Sequence, residues 1–125
     1  MKILLTILLL HGLVLPPTQS GRPLGQWPME CEGAAMRLDT AVIDTTKMDG
    51  AYLIIIARVG TGEPQGLNQI RLTVAEEYVL RRGADLRYVL GEGKRLKGLG
   101  RLELYVGGRL ADIMPFKKNS KGHCQ

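Results

Sequence analysis

Six consecutive residues, Tyr52-Leu53-Ile54-Ile55-Ile56-Ala57, form an unbroken β-favouring apolar run between Asp49-Gly50 and the glycine-rich stretch Val59-Gly60-Thr61-Gly62-Glu63-Pro64-Gln65-Gly66. A run this short and this β-branched suits a central strand covered on both faces, and three glycines with a proline make its downstream neighbour a loop. A helical period follows from Leu67 to Arg82: Leu67, Ile70, Val74 and Tyr78 recur at steps of three and four, Ala75 and Val79 widen the stripe, and Gly83 stops it. A second strand over Leu86 to Leu90 completes a strand–helix–strand unit, which predicts a right-handed crossover.

The flanks complete the architecture. Ala34, Leu38, Ala41 and Val42 recur at helical spacing and predict a short amphipathic helix from Cys31 to Asp44. Leu102 to Val106 alternates, Gly107-Gly108 turns, and Arg109 to Phe116 returns, a two-residue hairpin pattern. Between the second strand and this hairpin lies the glycine- and base-rich loop Gly91 to Arg101. Helix, strand, helix, strand, hairpin predicts an α+β fold: a small mixed β-sheet with two helices on one face, as a split βαβ unit plus a C-terminal β-hairpin. With one Phe and one Trp in 125 residues, the core must be built from Leu, Ile, Val and Ala.

The first residues carry an address. Met1-Lys2 precedes an apolar stretch from Ile3 to Leu15, too short to cross a bilayer, then Pro16-Pro17 and the small residues Thr18 and Ser20. This is the layout of a secretory signal over 1–20 cleaved ahead of Gly21. It predicts an exported protein, periplasmic or extracellular, with no transmembrane segment after signal removal. Residues 21–30 read as an extended lead-in with Trp27 at the core's edge, and 31–125 as a single domain. Export makes the environment oxidising, so Cys31 and Cys124, the only two cysteines, are expected to form one disulfide.

Subtraction narrows the chemistry. Beyond residue 20 the only histidine is His123 and the only serine is Ser120, three residues apart in a basic tail, so no nucleophile–base pair stands out and no catalytic residue is expected. No His, Cys and carboxylate set has metal-ligand spacing, and no metal or cofactor is expected. Gly60, Gly62 and Gly66 have the wrong spacing for a dinucleotide-binding turn and read as a connector. Counting back from Gly107-Gly108 places Glu103 opposite Asp112 on one hairpin face. Such a like-charge pair requires a cation such as Arg101, a bound ligand, or a shifted register. Glu76 and Glu77, adjacent on a helix, point apart and read as solvent-facing.

Charge is unevenly distributed. Residues 21–57 hold three bases and five acids, whereas 58–125 hold thirteen bases and seven acids. Excess Lys and Arg attracts polyanions, and the densest piece, Gly91 to Gly98, contributes Lys94, Arg95 and Lys97 as candidate ligand contacts. Export and the absence of an exposed aromatic series argue against nucleic acid and for anionic polymers of the cell envelope.

The order of Tyr52–Ala57, Asn68, the helix end Tyr78-Val79-Leu80-Arg81-Arg82-Gly83, Tyr88-Val89-Leu90-Gly91-Glu92-Gly93 and Arg101-Leu102-Glu103-Leu104 resembles the OmpA-like peptidoglycan-associated domain over residues 52–106, about half of the chain beyond the signal. The resemblance implies an envelope-associated domain in which Asn68 contacts peptidoglycan. Arg58-Val59-Gly60-Thr61 stands where that family has its binding Asp. Ala75 stands at its helix Arg, with Arg71 nearby as the substitute contact. The expectation is a non-catalytic exported domain binding peptidoglycan or another anionic envelope polymer; the alternative is a secreted or periplasmic inhibitor or protein–protein interaction module.

Overall fold

The computed structural model describes residues 31–83 and 85–122. The expected signal, the lead-in with Trp27, His123, Cys124 and the side chain of Cys31 lie outside the described residues. The elements are α1 (Cys31–Thr46), β1 (Leu53–Arg58), α2 (Leu67–Arg82), β2 (Tyr88–Glu92), β3 (Arg101–Val106) and β4 (Arg109–Pro115). They form a four-stranded mixed sheet in the order β2-β1-β3-β4, with β1 parallel to β2 and antiparallel to β3, and β3 antiparallel to β4. This is the α+β class predicted from the sequence. The two parallel strands are immediate neighbours, so the βαβ unit is not split by an inserted strand.

Both helices pack on one face. Leu38, Ala41 and Val42 of α1 and Leu72, Ala75 and Val79 of α2 meet Leu53, Ile55 and Ala57 of β1, Leu102, Leu104 and Val106 of β3, and Met114 and Phe116 at the end of β4. Burying each large aliphatic side chain here contributes roughly 1.5–3 kcal/mol, and these aliphatic residues make up the core as the composition requires. The C-terminal part of α2 is tied to the middle of α1: Arg82 lies 3.2 Å from Asp39, and the Tyr78 hydroxyl donates to the same carboxylate at 3.0 Å.

Four sequence expectations are corrected. β1 was expected to be covered on both faces, but its side chains alternate between buried and half-buried, and the described elements cover only the face bearing Leu53, Ile55 and Ala57. Ile54 and Ile56 point to the other. The buried stripe of α2 is Leu67, Asn68, Arg71, Leu72, Ala75 and Val79, with Ile70 exposed, so the helix is turned from the face that hydrophobicity selected. β2 starts at Tyr88 rather than Leu86. Leu86 is consumed by the turn after α2, where its N–H donates to Gly83 O at 3.1 Å, and pairing opens with Leu53 N–H donating to Arg87 O at 2.9 Å.

The fourth correction is the hairpin register. A bulge between Leu104 and Tyr105 shifts the pairing, so Glu103 faces Ile113 and Leu104 faces Asp112. Glu103 and Asp112 therefore project to opposite faces of the sheet, and each finds its own cation. Asp112 pairs with Arg37 of α1, while Glu103 pairs with Arg58 and Arg101.

Candidate functional site

The C-terminal ends of the parallel strands β1 and β2 carry the two glycine-rich loops, and these close on each other. Leu96 N–H donates to Val59 O at 2.9 Å, Thr61 N–H to Gly98 O at 2.9 Å, Gly93 N–H to Ala57 O at 2.9 Å, and Gly98 N–H to the Thr61 hydroxyl at 3.0 Å. Gly60 lies against the backbone of Gly98, Leu99 and Gly100 so closely that a Cβ would overlap the Gly98 carbonyl oxygen. Gly60 is thus present because two backbones touch.

Beneath the loops Glu63 is buried. Its carboxylate accepts from Arg71 Nη1 at 3.0 Å, Arg71 Nη2 at 2.6 Å, Gly60 N at 2.7 Å and Asn119 N at 2.7 Å. Burial pushes its pKa up, but the hydrogen bonds from Arg71, Gly60 and Asn119 and the Arg71 charge together outweigh that and hold it at about 2. Arg71, also buried, spends its remaining donor Nε on Ser120 O at 2.7 Å, and its guanidinium lies 4.6 Å from the centre of the Phe116 ring. Arg71 is therefore a structural partner of Glu63, with each of its three side-chain nitrogens donating inside the chain. Arg95 braces the loop from outside through Nη1, which donates to the backbone oxygens of Gly60 and Glu63, the latter at 2.6 Å.

Asn68 has the opposite character. It is wholly buried in the first turn of α2, and among the described residues neither its Nδ2 nor its Oδ1 completes a hydrogen bond. Beside it Gln69 Nε2 donates to Glu92 at 2.9 Å, and this hydrogen bond foremost holds the exposed Glu92 carboxyl below its usual range. A carboxylate from β2 thus sits near the N-terminus of α2, whose first turn has no acid of its own.

On the open face of the sheet Glu103 is the hub. It accepts from Arg58 Nε at 3.0 Å, Arg101 Nε at 2.8 Å and the Tyr105 hydroxyl at 3.0 Å. Burial opposes ionisation, and Arg101, Arg58 and Tyr105 together still keep its carboxyl below the usual range. Glu103 and Asp112, which the sequence placed opposite each other, and the buried Glu63 are each bound to guanidinium.

The remaining cations define the exterior of this end. Segments 58–66, 91–101 and 115–122 carry eight Lys and Arg against Glu63 and Glu92. Lys118 reaches back across the loop, its Nζ 3.0 Å from where a Cβ of Gly62 would be. Lys94, Lys97, Lys117 and Lys118 are exposed, and among the described residues none of them pairs with a carboxylate.

Of the sequence-selected contacts, Lys94, Arg95 and Lys97 share one exposed loop, whereas Asn68 and Arg71 lie buried beneath it. Glu63 was missed as a key residue. The signal for it was Arg71 standing on the α2 face of Leu67, Leu72, Ala75 and Val79, because a guanidinium on a buried stripe requires a buried acid. Comparisons with protein-family models, with curated proteins and with solved structures found no match.

Proposed function

We propose that this chain is an exported, non-catalytic domain that associates with the cell envelope by holding anionic polymer, peptidoglycan foremost, against the basic end of its sheet. The observation that carries the reading is the exposed lysine set Lys94, Lys97, Lys117 and Lys118 converging from two separate segments around loops whose internal acid is already neutralised by Arg71. Lysines with no internal partner leave their field to an external anion. The resemblance to the OmpA-like domain supports the same assignment. Of the two contacts carried over from it, Asn68 is kept for the ligand as a buried amide beneath the contact surface, and Arg71, spent on Glu63, is given to the fold. Co-sedimentation with isolated peptidoglycan sacculi across a salt series tests the reading. The wild-type chain should pellet at low salt and be released at moderate salt, and Lys94→Glu with Lys97→Glu should abolish pelleting. No pelleting by the wild-type chain at low salt overturns it.

A second reading, a protein-interaction module, is favoured by the open face of the sheet. There Ile54, Ile56 and Tyr105 are half-buried, the large side chain of Val89 is 47% exposed, and no described element covers them. A packed apolar interface would hold its partner at moderate salt, where electrostatic attachment fails.

A further inference from the structure

The face of the sheet turned away from the helices is ordered in rows. Cross-strand partners share a face, so Val89, Ile54, Tyr105 and Leu110 form one line across all four strands. The next line carries Ile56, Glu103 and Ile113, and the third Arg58, Arg101 and Pro115. Apolar side chains thus occupy the end where β1 begins, and guanidinium groups the end where it stops. No described element covers this face, and Val89 on the edge strand is its most exposed large aliphatic side chain.

Charge on this face does not balance. The single carboxylate of Glu103 serves the two guanidinium groups of Arg58 and Arg101, which leaves a surplus of one positive charge. Arg58 donates through Nε to Glu103 and through Nη1 to Lys94 O at 3.3 Å, while Arg101 donates to Glu103 through Nε and Nη2. Among the described residues Arg58 Nη2 and Arg101 Nη1 are therefore unspent, and both side chains are partly exposed. The strands hold no other acid on this face: Glu92 stands opposite Ala57 and Asp112 opposite Leu104, both on the helix side. A second copy of the chain therefore brings no free carboxylate from its own open face to these arginines.

We propose that the open face seats an amphipathic α-helix of a partner protein, with one Asp or Glu of that helix taken by Arg58 and Arg101. This rests on the reading of the face as a protein-interaction surface, and it names the partner's chemistry. The same sheet already holds two helices by aliphatic contacts on its other face. Along β1, Ile56 lies about 7 Å and Arg58 about 13 Å from Ile54. A helix rises about 1.5 Å per residue, so aliphatic residues at i and i+4 reach Ile54 and Ile56, and an acid at i+8 reaches Arg58. The apolar line supplies attachment that survives salt, and the carboxylate fixes which way the helix runs.

The probes are two helical peptides of about 20 residues, alike in their leucines at i and i+4 and differing only in Glu or Gln at i+8. With the purified chain at about 0.15 M salt, fluorescence anisotropy should show the Glu peptide binding at least about 10-fold more tightly than the Gln peptide. Arg101→Gln leaves Glu103 paired with Arg58 and removes the surplus charge, so the two peptides should then bind alike. Ile54→Lys should abolish binding of both; should that variant not fold, Val89→Lys on the edge strand makes the same test. Equal binding of the two peptides to the wild-type chain, or a preference that survives Arg101→Gln, overturns the carboxylate seat and leaves the interaction-surface reading standing. Binding of neither peptide overturns both. Dimers in light scattering that Ile54→Lys dissolves give the face to a second copy, which overturns the proposal as well.

Discussion

Glu63 and Glu103 are both nearly inaccessible carboxylates held by arginine, yet they lie on opposite sides of one sheet and differ in what holds them. The Glu63–Arg71 pair is sealed, with side-chain exposures of 1% and 0%, and each side-chain nitrogen of the arginine donates within the chain. Glu103 is shared by Arg58 and Arg101, whose side chains are 26% and 32% exposed. In the first case each partner is the sole countercharge of the other. In the second, either arginine can leave and the acid stays neutralised, with water reaching the cations. The same chemical pair is therefore a single point of failure on one face and redundant on the other.

The sharpest way to break the symmetry is to remove one arginine from each. Arg71→Met leaves Glu63 as an uncompensated buried charge and should cost about 3–5 kcal/mol in urea unfolding. Combining it with Glu63→Gln should restore part of that loss, which separates charge burial from lost packing. Arg101→Gln leaves Arg58 on Glu103 and should cost roughly 1 kcal/mol or less.

Acid provides the second contrast. The folded Glu63 carboxyl ionises at about 2, below its unfolded value of 4.5, so its contribution is fully present above about pH 4.5 and is lost as pH falls toward 2. The loss should be on the order of 3 kcal/mol between those limits, read as a falling midpoint in urea, and Glu63→Gln should flatten that limb. Glu103, also lowered, contributes with the same sign.

Gly60→Ala sharpens the comparison differently, because it strikes the loop roof over Glu63 and leaves Glu103 untouched. A Cβ there meets backbone and cannot be accommodated by side-chain motion, so a loss of about 1–3 kcal/mol is expected in thermal unfolding. Lys94→Glu with Lys97→Glu should have the smallest effect on the fold, within about 0.5 kcal/mol, while removing sacculus binding.

Much of this arrangement was readable in advance, for identifiable reasons. Tyr52–Ala57 and Leu67–Arg82 gave their elements because β-branched runs and three–four spacing are local properties of the chain. Gly107-Gly108 gave the hairpin because few residue pairs fit its turn, and both do take positive φ. The register failed because nothing in the alternation of Leu102 to Val106 encodes a bulge at Leu104 and Tyr105. That bulge separates Glu103 from Asp112. The face of α2 failed because hydrophobicity ranks Ile70 above Arg71, whereas burial depended on Glu63, eight residues earlier in a loop. At the basic end, Lys94, Arg95 and Lys97 were legible as neighbours, but the arrival of Lys118 beside them was not.

By itself, then, the sequence determined the order and kind of the elements, the aliphatic core, the charge imbalance and the short supply of catalytic groups, because each is set by composition or by spacing within a few residues. Tertiary structure alone decided which face of β1 was covered, which acid met which arginine, that two glycine loops would close backbone to backbone, and that a lysine-rich tail would complete a buried ion pair. Those outcomes rest on contacts between residues tens of positions apart, where a partner is selected by the geometry of the folded sheet and not by any pattern along the chain.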